Sequence, residues 1–312
     1  MSACSLCPRN CMADRERGEY GVCGQGERMR VARVALHFFE EPPISGTNGS
    51  GTIFFCGCSL RCVFCQNRAI SRGNEGFEIC ASELAEWMLR LQERGAHNIN
   101  LVTPTHFVKE IAVALSIARP RLKIPVVYNS SGYESIPALR MLEGLVDVYM
   151  PDFKYWSEDV ARRYSAAPSY SQVAGEAVAE MYRQVGAFTT DENGIARKGV
   201  LIRHLILPGN RKDSMAVLQH LAQRLPVGDI RLSLMSQYTP DFAMDSPYPE
   251  LHRRLTRFEY QSVLQVAQSL GFEGYMQEPT SASADFTPDF SARKSLEIEE
   301  VRICRTVDTE ND

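Results

Sequence analysis

Three cysteines, Cys58, Cys62 and Cys65, close the stretch Gly51-Thr-Ile-Phe-Phe-Cys-Gly-Cys-Ser-Leu-Arg-Cys-Val-Phe-Cys-Gln-Asn67 at a Cys-x3-Cys-x2-Cys spacing. Thiolates are the usual ligands of iron-sulfur clusters, and three of them hold three irons of a [4Fe-4S] cube while leaving the fourth iron open to another ligand. Tetrahedral zinc is the competing assignment, because Cys56 supplies a fourth sulfur. Zinc loops ordinarily pair two well-separated Cys-x2-Cys knuckles, whereas these thiols crowd one short turn after an apolar run. Cys56, two residues before Cys58 on extended chain, reads as a packed thiol.

A second group comes earlier, Cys4-Ser-Leu-Cys-Pro-Arg-Asn-Cys11 followed by Cys23 within Gly21-Val-Cys-Gly24. A unit of fewer than about 40 residues rarely builds its own core and leans on a metal or disulfides. An auxiliary iron-sulfur cluster and a structural zinc on Cys4, Cys7, Cys11 and Cys23 are both open, with reduced, unligated thiols as the bland alternative. Eight of the ten cysteines fall in these two groups, a pattern that favours metal over a secreted disulfide framework.

The elements that position these thiols follow from the apolar pattern. A period-two alternation at Val34, Leu36 and Phe38 predicts a lead-in strand, and the Gly, Pro and Ser cluster from Glu40 to Gly51 a loop delivering the chain into the cluster strand. Further strands are predicted over 98–103, 124–128, 147–152, 199–208 and 230–235. Helices are expected from an N-cap at Ser82 to Gly95, over 172–185, over 214–225, and from a Thr256/Glu259 capping box to Gly271. Six core strands alternating with helices describe an α/β fold of parallel βα units, whose ligands bind at the carboxyl ends of the strands.

The cysteine motif, with the aromatic Phe64 just before its last member, resembles the signature of the radical S-adenosylmethionine (SAM) superfamily. That resemblance implies a partial (βα)6 barrel with a [4Fe-4S] cluster on Cys58, Cys62 and Cys65. It further implies SAM chelated at the unique iron and cleaved by one electron to a 5'-deoxyadenosyl radical. From Gly51 to about Tyr238 the chain resembles the activating enzymes of glycyl radical proteins, typified by pyruvate formate-lyase activating enzyme. It is most similar to a branch carrying an N-terminal Cys-x2-Cys-Pro-Arg-x-Cys segment together with the motifs Asn98-Ile-Asn-Leu-Val-Thr-Pro-Thr-His106 and Pro151-Asp-Phe-Lys154. Carried over by position, Phe64 lies against adenine and Asn67 continues the cluster loop. Thr103 and Thr105 stand where relatives have a Gly-Gly-Glu segment for the SAM amino group. Asn129, Ser130, Met150 and Asp152 stand where relatives build a monovalent cation site beside the SAM carboxylate.

Arg203 suits a carboxylate, and since neighbours on a strand face opposite sides, at most one of Arg203 and His204 enters the barrel. Lys154, His106 and Tyr238 are candidate catalytic groups, Tyr238 replacing a histidine of the activating enzymes. The resemblance implies an electron donor such as flavodoxin or ferredoxin and a glycyl radical protein as substrate. Radical chemistry on a small metabolite or peptide is the alternative, and a non-catalytic iron-sulfur or zinc protein a further one.

Composition bounds the rest. The chain has 312 residues, 44% hydrophobic and 23% charged, the balance of a soluble globular protein. No run reaches the roughly eighteen apolar residues of a membrane span, and the N-terminus lacks a signal pattern, so a cytoplasmic location away from membranes is expected. A net charge of -4 argues against a nucleic-acid partner. The expected organisation is a Cys-rich knuckle and lead-in loop over 1–48, the barrel core over 49–278 and a low-complexity tail over 279–312.

Overall fold

The computed structural model describes residues 3–73, 76–276 and 290. Its strands are β1 (Met29–His37), β2 (Ser50–Phe55), β3 (Phe77–Ile79), β4 (Ile99–Val102), β5 (Val126–Ser130), β6 (Val148–Pro151), β7 (Thr189–Thr190), β8 (Ala196–Leu205), β9 (Arg231–Met235) and β10 (Gly274–Met276). They form one sheet in the order β10-β9-β8-β6-β5-β4-β2-β1-β3, with β7 paired to β8 off that path. The six predicted core strands, β2, β4, β5, β6, β8 and β9, are consecutive and parallel. Two findings extend the prediction: β10 adds a seventh parallel strand beside β9, and β1 and β3 continue the other edge antiparallel.

Residues of β2, β4, β5 and β6 are buried throughout, as strands covered on both faces must be. Their outward side chains, such as Ile99, Leu101, Val126 and Tyr149, enter the main core under the helices. That layer holds α1 (Ala81–Glu93), α2 (Val108–Ala118), α3 (Tyr170–Val185), α4 (Arg211–Arg224) and α5 (Arg257–Ser269). The Thr256/Glu259 capping box forms, with Glu259 N–H donating to Thr256 Oγ1 at 3.2 Å and Thr256 N–H to Glu259 Oε2 at 2.9 Å. Helix α1 departs from expectation: its N-cap is Cys80, not Ser82, because the Glu83 carboxylate reaches back to the Cys80 N–H at 2.9 Å.

The stretch read as a delivery loop is a plug. Pro42–Ser45 turns into a short helix, and Ile44, fully buried, packs among the inward-facing Val127, Val148, Met150 and Leu201. Asn98 Nδ2 donates to the Ile44 carbonyl at 2.7 Å and Asn98 Oδ1 accepts from Ser50 Oγ at 2.6 Å, fixing the plug to β2 and the start of β4. Phe38 falls just outside β1 and is half exposed. Among the described residues no helix is long and apolar enough to cross a membrane. The predicted tail lies outside the described residues apart from Phe290.

Candidate active site

The carboxyl ends of the parallel strands, the plug and the loop after β2 enclose a cavity of about 320 Å³. Cys58, Cys62 and Cys65 line it together with Phe64, Asn67, Thr103, Asn129, Ser130, Asp152, Lys154 and Arg203. The cysteine loop takes its shape from two sharp backbone positions. Gly57 has φ +80, and a Cβ there would fall 2.6 Å from the Cys23 carbonyl, so only glycine lets the N-terminal segment lie this close. Arg61 has φ +54, which turns the chain back between Cys58 and Cys62.

Each thiol receives a donor: Leu60 N–H to Cys58 Sγ at 3.4 Å, Ser165 Oγ to Cys62 Sγ at 2.9 Å and Ser71 Oγ to Cys65 Sγ at 3.5 Å. Burial, reinforced by the neighbouring sulfurs Cys62 and Cys65, pushes the Cys58 thiol up to about 12; burial and then Cys62 raise Cys65. Buried thiols crowded in this way ionise readily only when a cation takes up the charge, which is the setting of a metal ligand set. Among the described residues no three His, Cys, Asp or Glu side chains gather tightly enough around a point to hold one ion. Three sulfurs on one cavity wall, each with its own donor, fit the three-cysteine ligand set of an iron-sulfur cube. Cys56 is fully buried with Ala32, Phe54, Ile70 and Val102 and does not line the cavity, so it packs as expected.

The polar side of the cavity is one ionic network. Arg203 donates through Nε to Asp152 Oδ1 at 3.0 Å, through Nη1 to Glu40 Oε2 at 3.2 Å and through Nη2 to Asn129 Oδ1 at 3.0 Å. Lys154 Nζ meets Asp152 Oδ2 at 2.6 Å. Burial alone would raise Asp152, but Lys154 and Arg203 together hold it below the ordinary carboxylate range. His204 faces the other way, its Nδ1 2.6 Å from the Phe153 carbonyl, so Arg203 is the one of the pair that enters the barrel. The oxygens of Asn129 and Asp152 expected to bind a monovalent cation are thus hydrogen-bonded to the chain's own cations. Gly132, at φ +73, lets the loop after β5 press against the Asp152 carbonyl, where a Cβ would collide.

Four predicted residues do not line the cavity. His106 is buried with its Nε2 2.7 Å from the Cys56 carbonyl, and burial lowers its pKa to about 4, leaving a neutral imidazole behind the cluster strand. Tyr238 donates its hydroxyl to the Leu251 carbonyl at 2.6 Å and sets its ring 6.2 Å from Phe64. Thr105 Oγ1 donates to Glu134 Oε1 at 2.6 Å, and Met150 belongs to the core around Ile44. Thr103, by contrast, lines the cavity with φ +59, a left-handed conformation that a β-branched residue adopts only when its surroundings enforce it. Its N–H donates to the Asn129 carbonyl at 2.9 Å.

Sequence reasoning missed Glu40 and Glu41, read as loop, and the Ser165 hydroxyl on Cys62. It also missed Arg9, which donates to the Ser59 carbonyl at 2.7 Å and the Ser165 carbonyl at 2.8 Å. The N-terminal thiols sit behind the cysteine loop: Cys7 and Cys23 are buried, Cys58 N–H donates to the Cys23 carbonyl at 3.3 Å, and Cys11 and Cys23 flank Gly21.

A family model described as the Radical SAM superfamily matches residues 52–222. A Methanocaldococcus jannaschii protein described as uncharacterized protein MJ0674 is 29% identical over 281 residues, which cover 86% of this chain and 75% of that one. Among solved structures the chain is similar to Streptococcus suis SuiB bound to precursor peptide SuiA, with a TM-score of 0.49 and 12% identity over 71% of this chain and 46% of that one. It is also similar to methylornithine synthase (PylB), with a TM-score of 0.46 and 15% identity over 70% and 60% of the two chains. The chain therefore spans less than two thirds of either solved structure. Because the family match spans more than half of the chain and includes all three cavity-lining cysteines, the chain belongs to the radical SAM superfamily, an enzyme family whose reactions draw on a [4Fe-4S] cluster and SAM.

Proposed function

We propose that this enzyme abstracts a hydrogen atom from a glycine of a partner protein, acting as an activase of a glycyl radical enzyme. The observation that carries the reading is the joining of Cys58, Cys62 and Cys65 to Lys154 and Arg203 in one cavity. Cys58, Cys62 and Cys65 would hold the cluster, which when bound supplies the electron that cleaves the SAM sulfonium. Lys154, anchored on Asp152, presents a cation to the ligand carboxylate, and Phe64 offers an apolar face at the wall for adenine. The plug under Glu40 closes the barrel interior and limits water around the reacting groups. A flavodoxin- or ferredoxin-type protein is the proposed electron donor, and Cys4, Cys7, Cys11 and Cys23 are the residues that would hold a second metal, iron-sulfur or zinc.

The test is anaerobic incubation with reductant, SAM and candidate glycyl radical proteins. A glycyl doublet in the electron-spin spectrum supports the activase, and its absence across the candidates while SAM is still cleaved rejects it. A second reading, radical chemistry on a small metabolite or peptide, is favoured by the strained Thr103 in place of a glycine pair and by the satisfied, buried hydroxyl of Tyr238. Comparison of metabolites between wild-type and Cys58→Ala strains separates the two.

A further inference from the structure

The three cavity cysteines differ in what stands behind their donors. Leu60 N–H reaches Cys58 Sγ at 3.4 Å and Ser71 Oγ reaches Cys65 Sγ at 3.5 Å, both long. Ser165 Oγ is nearer, 2.9 Å from Cys62 Sγ, and comes from the end of the helix Glu158–Ser165, 103 residues along the chain. The same hydroxyl oxygen lies 2.6 Å from the Tyr155 hydroxyl. Cys62, Ser165 and Tyr155 are all buried, Tyr155 completely.

The turn that carries Ser165 is held against the cysteine loop. Val63 N–H donates to the Tyr164 carbonyl at 2.8 Å, and Arg9 spans the two segments through the Ser59 carbonyl at 2.7 Å and the Ser165 carbonyl at 2.8 Å. The Tyr155 ring is set between Tyr164 and Tyr170, with centroids 6.4 and 5.2 Å away. A count of protons then fixes the direction of the bonds. A serine hydroxyl has one proton and two acceptor lone pairs, while a thiolate can only accept. With Cys62 holding iron as a thiolate, Ser165 gives its proton to the sulfur and Tyr155 donates to Ser165. Each bond polarises the next and strengthens it. Hydrogen bonds to the sulfurs are among the terms that set an iron-sulfur potential, because a donor there favours the more electron-rich state.

We propose that Tyr155 and Ser165 form a buried relay that raises the reduction potential of the cluster through Cys62, Ser165 donating to the sulfur and Tyr155 serving as the positioning residue that aims it. The proposal rests on Cys62 holding the cluster and is the same whichever substrate the enzyme takes. What is tuned is the uptake of one electron from an external reductant; in the relay no bond is made or broken. A higher potential lets a weaker one-electron reductant supply that electron.

The experiment is a potentiometric titration of the full chain, reconstituted anaerobically and without SAM. The electron-spin signal of the reduced cluster is the readout, and iron and sulfide counts check loading. Ser165→Ala should make reduction about tenfold less favourable, a fall of about 59 mV for one electron. Ser165→Thr keeps a hydroxyl and should stay closer to wild type, and Tyr155→Phe, which keeps the ring, should lower the potential by less than Ser165→Ala does. A fully loaded Ser165→Ala protein with an unchanged or raised potential overturns the proposal, as does a Ser165→Thr potential as low as that of the alanine variant. Should Ser165→Ala fail to fold or to load, Tyr155→Phe must lower the potential by itself, or the proposal falls. A wild type that assembles no cluster rejects the ligand assignment and the relay with it, whereas loaded variants at the wild-type potential reject the relay alone.

Discussion

Cys58, Cys62 and Cys65 on one side, and Cys4, Cys7, Cys11 and Cys23 on the other, are nearly the same string of closely spaced thiols. The fold gives them opposite surroundings. The first three line a cavity, each with a donor on its sulfur, and share that cavity with Lys154, Arg203 and Asp152. The other four line no part of it and pack behind the loop, with Arg9 and the Cys23 carbonyl holding the loop's backbone. Spacing nominates a metal site in both; only space and charge beside the sulfurs turn one of them into a place for chemistry. The N-terminal segment is then a brace for the catalytic loop.

The sharpest way to break that contrast is a pair of substitutions. Cys58→Ala should remove SAM cleavage altogether, while Cys7→Ala should keep it and lower stability by about 1–3 kcal/mol through lost packing; equal losses of 5'-deoxyadenosine release in both would erase the distinction. Next in size, Arg203→Ala strips the cation from the buried Glu40 and Asp152 and should cost about 3–5 kcal/mol in urea unfolding.

Glu134 probes the region beside the N-terminal cysteine Cys7. It is fully buried, bonded to Thr105 and Tyr128, and burial raises its pKa from 4.5 to about 7. A folded chain that holds this proton more tightly than the unfolded one is most favoured below pH 4.5, and loses that advantage as pH rises to about 7. The loss amounts to about 3 kcal/mol, and Glu134→Gln should flatten that part of the stability curve. Smallest is Arg9→Ala, which strands the Ser59 and Ser165 carbonyls. Its cost of about 1–3 kcal/mol should appear as a lower melting temperature and faster loss of iron, and an unchanged iron content on standing would show that the brace is unnecessary.

The parts of the fold that were legible from residue order are those whose burial is uniform. Runs such as 98–103 and 199–208 are apolar because helices cover one face and the barrel interior the other, and the six core strands followed from them. The three cysteines that line the cavity were legible because their spacing is local. What escaped depends on distant partners. Glu40-Glu-Pro-Pro reads as a turn by composition, and its burial is tolerated only because Arg203, 163 residues away, meets Glu40. Ser165 was invisible as a thiol partner for the same reason, lying 103 residues from Cys62. His106 and Tyr238 show the converse: polar types at strand ends suggested chemistry, but His106 Nε2 lies on the Cys56 carbonyl and the Tyr238 hydroxyl on the Leu251 carbonyl, away from the cavity.

The most direct test of the account is 5'-deoxyadenosine released per iron-loaded chain on anaerobic reduction with SAM, measured for wild type and for the Cys58/Cys62/Cys65 triple alanine variant. Release by wild type and none by the variant is the predicted result. Wild-type protein that carries iron and sulfide yet leaves SAM intact, or a triple variant that still cleaves it, would contradict the assignment of these three cysteines.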